Sequence, residues 1–279
     1  MRKILKPTIG VGIVFKDCIE NISDPILKLA LSNSVNSIVA AEKDFDDKKQ
    51  DNELYLIPQG NSIGGLVTTS ELKKVYTDRL VNKKHKARLH YNNILHLAPK
   101  GKCPLCSQRI AKTLDHYLPK SQYPLLAVSP LNLIPACSDC NKDKLVSFPT
   151  TNYEETLHPY YDDLENDSWL RLALLDVNPM IFDFYVDPPA IWNKLLKKRV
   201  KKHFDAFNLN ELYITHAAEE FENIKKQVTD LYNNGGADSL RSHLLECLTS
   251  RELTNKNSWQ TALYKGLHNN VRFCNGEFI

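Results

Sequence analysis

Apolar positions recur along most of the chain at the three-to-four-residue spacing of helices that bury one face. Asp24 and Pro25 place a cap and a proline first turn before Ile26, Leu27, Leu29, Ala30 and Leu31, and a second helix is expected over 35–45. The acidic run 44–51 reads as its solvated end and a loop, and 54–57 as a short strand before a Pro58-Gln59-Gly60 turn. Ser70 is the expected cap of a longer helix, broken near Asn82, with Leu72, Val75, Tyr76, Leu89, Ile94 and Leu95 facing inward. Further on, strands are expected at 169–177 and 181–186 on either side of Pro179. Amphipathic helices follow from Pro188-Pro189, from about Asn210 to a stop at Gly235-Gly236, and from about Ser239 and Ser258. The apolar run 9–15 is interrupted by Gly10 and Gly12 and lacks a small-residue cleavage site, so it reads as a strand or extended arm and not as a signal peptide. No stretch approaches the ~20 apolar residues of a membrane span, and a cytoplasmic protein is expected.

Residues 103–144 break this helical pattern. Cys103 and Cys106 form one C-x-x-C pair and Cys137 and Cys140 a second. Two thiolates on each of two tight turns supply the four ligands of a closed tetrahedral zinc site. Disulfides are the competing account, but in a reducing compartment paired C-x-x-C motifs bind metal more often. A closed site leaves zinc no open position, so any chemistry must come from the insert 107–136, which is longer than the ~15–20 residues of a simple zinc ribbon. Leu114 to Leu118 alternates apolar and polar residues up to Pro119, a second strand is expected over 125–128, and Ser138 is the expected cap of a short helix with Asn141 and Lys144 on one face. The pattern is hairpin, then helix, clamped at both ends.

The chain has 279 residues, 42% hydrophobic and 25% charged, which fits an ordinary folded protein of one or two domains. Its net charge of +3 hides an uneven distribution. Residues 73–150 hold fourteen Lys and Arg against four Asp and Glu, whereas both flanks are net acidic. A basic segment coinciding with the cysteine-framed stretch suits a polyphosphate partner. Cys18, Cys247 and Cys274 are expected as free, mostly buried thiols, and His85, His90 and His96 as surface residues, since their spacing puts them on no common face. The acidic stretch 149–167 marks a domain boundary or docking loop.

The segment from Cys103 to Lys144 resembles the HNH endonucleases. The residues that carry the resemblance are Cys103 and Cys106, Asp115-His116, Asn132-Leu133, Cys137 and Cys140, then Asn141 and Lys144. One position departs, because Asn141 stands where the family name has its last histidine, an H-N-N variant. The resemblance implies a ββα-metal core in which His116 is the general base and Asn132 orients it. It further implies that Asp115 and Asn141 bind a catalytic Mg2+ or Mn2+ apart from the structural zinc. Lys120 and Lys144 are then candidate phosphate contacts, and Lys83, Lys84, Lys86 and Arg88 a basic helix face along the backbone.

The expected fold is therefore α+β and mainly helical, with a zinc-clamped ββα core over 99–150 between helical regions over 1–98 and 151–279. The expected function is metal-dependent cleavage of phosphodiester bonds in DNA, with RNA also allowed. The resemblance extends to stand-alone bacterial proteins of restriction or anti-phage defence, some working beside an ATPase of the ABC or SMC type, and a homodimer is compatible with it. The alternative is a zinc-stabilised nucleic-acid-binding or scaffold module without turnover.

Overall fold

In the computed structural model, which describes residues 1–60, 63, 65–144 and 148–279, the chain is mainly helical with two small antiparallel sheets, an α+β protein. It divides into two units, Met1–Asp163 and Leu164–Ile279. The regions 1–98 and 99–150 both fall within the first.

The first unit opens with an extended arm, in which Arg2 N–H donates to the Pro104 carbonyl (2.8 Å) and Ile4 N–H to the Pro159 carbonyl (2.9 Å). Helix α1, Val11–Ile19, occupies much of the stretch expected as a strand. Val11, Val14, Phe15 and Cys18 make a buried stripe at helical spacing, and the Glu42 carboxylate accepts Val11 N–H (2.9 Å), a cap that Gly10 cannot supply. Helix α2, Pro25–Asn33, starts as expected, with the Asp24 carboxylate accepting from Ile26 and Leu27. Helix α3, Val35–Asp51, runs on through the acidic stretch. Lys43–Asp47 and Lys48–Asp44 pairs one turn apart brace that stretch, Phe45 and Lys49 are buried, and Asn52 ends it in the left-handed conformation (φ 58°). Residues 54–57, expected as a strand, form a 3-10 turn over Leu54–Leu56.

Helix α4, Thr69–Lys74, is capped by Thr68 and not Ser70. The Thr68 hydroxyl accepts Glu71 N–H (3.2 Å), half of a Thr-x-x-Glu capping box. It continues into a π-helical turn, Val75–Leu80, and the chain breaks before α5, Arg88–Leu95. Leu89, expected inside, is exposed. Strands β1, Thr113–His116, and β2, Leu133–Ala136, pair antiparallel, with His116 opposite Leu133. The second strand expected over 125–128 is instead a 3-10 turn, Pro124–Leu126, because the prolines at 124 and 130 start turns and push the hairpin partner to the wholly buried run after Asn132. Helix α6, Ser138–Asp143, is capped by Cys137 and not Ser138. These elements close over a core that includes Val14, Phe15, Leu31, Ile38, Leu80 and Leu133.

In the second unit β3, Leu170–Val177, and β4, Met180–Val186, form an antiparallel hairpin turning at Asn178-Pro179. Helix α7, Lys194–Ala206, begins at an Asn193 cap, later than the proline pair suggests. Helix α8, Leu209–Thr254, is interrupted at Gly236 (φ 65°), and helical residues resume beyond it. Ser258 caps α9, Trp259–Asn269, and α10, Val271–Cys274, closes the chain. Gly266 lets α9 press onto β3, since a Cβ there would lie 2.8 Å from a Leu172 methyl. Among the described residues no helix is long and apolar enough to cross a membrane.

Candidate active site and zinc site

The two C-x-x-C turns meet. The sulfurs of Cys103, Cys106, Cys137 and Cys140 all lie within 4.8 Å of one another, and all four residues are buried and unbridged. A tetrahedron of ~2.3 Å zinc–sulfur bonds has edges of about 3.8 Å, so the donor set has the right size and chemistry for zinc. The local backbone favours thiolates as well. Arg109 N–H points at Cys106 Sγ (3.5 Å) and Cys140 N–H at Cys137 Sγ (3.4 Å), while Ser107 takes the left-handed conformation (φ 60°) that turns the first knuckle. Hydrogen bonding with Cys103 lowers the Cys137 thiol. Arg109 Nε reaches Asp139 (2.8 Å) on α6 and ties the first knuckle to the second.

Beside this site β1, β2 and α6 follow one another as strand, strand and helix. Along β1, side chains alternate, so Thr113 and Asp115 share one face and Leu114 and His116 the other. Asn141 and Lys144 reach the first of these faces from α6. Asn141 Nδ2 donates to Thr113 Oγ1 (3.3 Å), and Lys144 Nζ donates to Asp115 Oδ2 (3.1 Å) and to the carbonyls of His116 (2.7 Å) and Tyr117 (2.6 Å). Burial works against both charges of this pair, raising the Asp115 carboxyl and lowering the Lys144 ammonium, while the pairing itself favours them.

His116 lies at the end of β1, 7% exposed, with its ring edge-on to Tyr76 at 4.4 Å between centroids. Its Nε2 faces the Ala127 carbonyl at 2.8 Å. A carbonyl oxygen only accepts, so Nε2 carries the proton and Nδ1 keeps the lone pair. Burial, with Lys120 adding to it, pushes the imidazole down to about 3, so the ring is neutral at ordinary pH. Tyr76 comes from the π-helical turn and Ala127 from the loop after Pro124–Leu126. Neither has a sequence signal beyond apolar character.

Asn132, fully buried, does not orient His116 by direct contact. Its amide accepts Leu118 N–H (2.7 Å) and donates to the carbonyls of Leu118 (2.9 Å) and Leu126 (3.2 Å). It thereby fixes the loop whose next residue, Ala127, holds the imidazole. Asn132 acts on His116 through that loop.

Several expected roles change. Lys144 is a buried partner of Asp115 and not an exposed phosphate contact, because α6 aims its side chain back at β1. Lys86 is paired with Asp17 (3.0 Å) and Glu20 (2.5 Å). Arg88 donates to the Val81 carbonyl and to Asn92 and lies over the Tyr91 ring. His90, expected at the surface, is buried against Asp17 (2.7 Å). Lys83 and Lys84 are exposed, and Lys120 is half-buried with its ammonium 5.0 Å from the Tyr76 ring centroid. The expected divalent-ion ligands do not fit such an ion as they stand: Asp115 is turned to an ammonium and Asn141 to a hydroxyl.

No protein-family model matches the chain, and no solved structure matches it. It is similar to Protein ea31 of Escherichia phage lambda, 27% identical over 228 residues that cover 76% of this chain and 76% of the phage protein. That span exceeds the length of either unit, so the likeness takes in parts of both.

Proposed function

We propose that the Met1–Asp163 unit is a zinc-stabilised endonuclease of HNH type that hydrolyses phosphodiester bonds in DNA with His116 as the base. The observation that carries the reading is the imidazole itself, fixed by the Ala127 carbonyl through Nε2 so that Nδ1 keeps its lone pair, on a ββα element framed by four cysteines. In the reaction Nδ1 takes a proton from water as the water oxygen bonds to phosphorus. The bond from phosphorus to the leaving sugar oxygen breaks, and that oxygen is protonated from solvent. Lys120, its basicity lowered by burial and then by nearby Lys73, supplies positive charge beside the imidazole for the phosphate. No step runs through a divalent ion, since Asp115 holds Lys144. A role in defence against phage DNA, beside an ATPase partner, rests on the family resemblance alone.

The test is nicking of supercoiled plasmid by purified protein, with Mg2+, Mn2+ or EDTA. His116→Ala should lower cleavage by about 100-fold or more and leave zinc content at the parent value. Equal cleavage by His116→Ala would remove the base assignment. The second reading, a zinc-stabilised nucleic-acid-binding module without turnover, is favoured by the neutralised Asp115, and it predicts retention of plasmid in a gel with no cut under any metal.

A further inference from the structure

Asp115 already has a cation. Lys144 Nζ is surrounded by Asp115 Oδ2, the His116 carbonyl and the Tyr117 carbonyl at 2.6 to 3.1 Å, and an ammonium has three N–H groups to give. Both side chains are 7% exposed, so water does not replace any of these contacts cheaply. Among the described residues Lys144 is the only cation within ion-pair distance of this carboxylate. A cradle of one carboxylate and two backbone carbonyls is also the donor set a hard divalent ion takes. A divalent ion taking Asp115 Oδ2 and these two carbonyls would meet the ammonium at contact distance in a buried place, where like charges repel strongly.

We propose that Lys144 is the resident cation of the Asp115 cradle, and that a divalent ion binds there only by evicting its ammonium. The sequence alone would make Asp115 an open ligand and Lys144 a free surface charge; the structure makes them each other's partner. Affinity for Mg2+ or Mn2+ is then set by Lys144 as much as by Asp115, and binding of the ion releases an ammonium at the end of α6, three residues from Asn141. This goes beyond the endonuclease reading, which takes no step through a divalent ion, and it is read out without cleavage.

The experiment is Mn2+ binding followed by electron paramagnetic resonance on the zinc-loaded full chain, because Mn2+ favours oxygen donors and leaves a thiolate site to zinc. Lys144→Met keeps the length of the side chain and removes the ammonium; it should bind Mn2+ at least about tenfold more tightly than the parent. Lys144→Arg should stay as weak as the parent, and adding Asp115→Asn to Lys144→Met should abolish the gain. If Lys144→Met fails to fold, the parent protein serves. Acetic anhydride labelling read by mass spectrometry should find Lys144 protected without Mn2+ and labelled with it, while exposed Lys83 is labelled in both. Mn2+ affinity unchanged or weaker in folded Lys144→Met, or Lys144 still protected in Mn2+-bound parent protein, overturns the proposal. Tighter Mn2+ binding without any plasmid cleavage would sustain it and count against the nuclease reading instead.

Discussion

Asp115 and His116 are neighbours in sequence and face opposite ways, and the consequences of that alternation are chemical. One residue is paired with an ammonium and the other buried as a neutral base. For His116 the sign of the pH effect follows from its depressed value. The unfolded chain takes a proton near pH 6.5, whereas the folded chain refuses it until about 3. Stability is therefore unaffected by this group above 6.5 and falls as the pH drops from there toward 3. Between pH 7 and pH 5 urea denaturation should show the parent losing about 2 kcal/mol more than His116→Gln; parallel losses would mean the ring is protonated in the fold. The Asp-His pair and its helical asparagine and lysine were legible from residue type and spacing. Their contacts were not, because nothing in a sequence says that Lys144 bends back onto β1 or that an alanine carbonyl holds the imidazole.

Among the elements, the loop between β1 and β2 shows why the site was only half readable. Its two prolines announce turns, yet an apolar 125–128 looks as strand-like as 133–136, and tertiary burial decides between them. What makes the loop rigid is one amide, Asn132, serving two carbonyls and one N–H. Asn132→Ala takes its partner from Leu118 N–H and from the Leu118 carbonyl, at about 1–3 kcal/mol for each group left unsatisfied, while the Leu126 carbonyl keeps Ser129 N–H (3.2 Å). The substitution should lower the thermal midpoint and, through displaced Ala127, cut cleavage, while zinc content stays unchanged; a variant of parental stability would show that the loop holds itself. The α1 helix was missed for a related reason, since its cap comes from Glu42 on α3 and two glycines lower its propensity. In the second unit, α9 meets β3 through Gly266, where an added methyl group meets Leu172. Gly266→Ala should cost about 1–3 kcal/mol by overpacking, visible in the melting of that unit, and no loss would mean that Leu172 changes rotamer freely.

For the whole molecule the division into Met1–Asp163 and Leu164–Ile279 separates the stabilising devices. The four sulfurs and the buried Lys49–Glu155 pair (2.8 Å) belong to the first unit; the second relies on apolar contact between its hairpin and helices, with Phe184 against Tyr213 and Phe221 against Phe273. Metal binding and folding are coupled wherever the ligands come from separate turns, as Cys103 with Cys106 and Cys137 with Cys140 do here. Stripping zinc at neutral pH should leave four clustered thiols, two of them on α6 or at its cap, and so release α6 from the hairpin. Calorimetry with a strong chelator should then lower the transition of the first unit by well over 10 °C, while the transition of the second stays within about 2 °C, since a few kcal/mol shifts a domain of this size by several degrees per kcal/mol. Cys140→Ser should reproduce the chelated trace without chelator. One joint transition that moves as a whole would mean that the units melt together, and an unmoved trace that the thiols hold no metal.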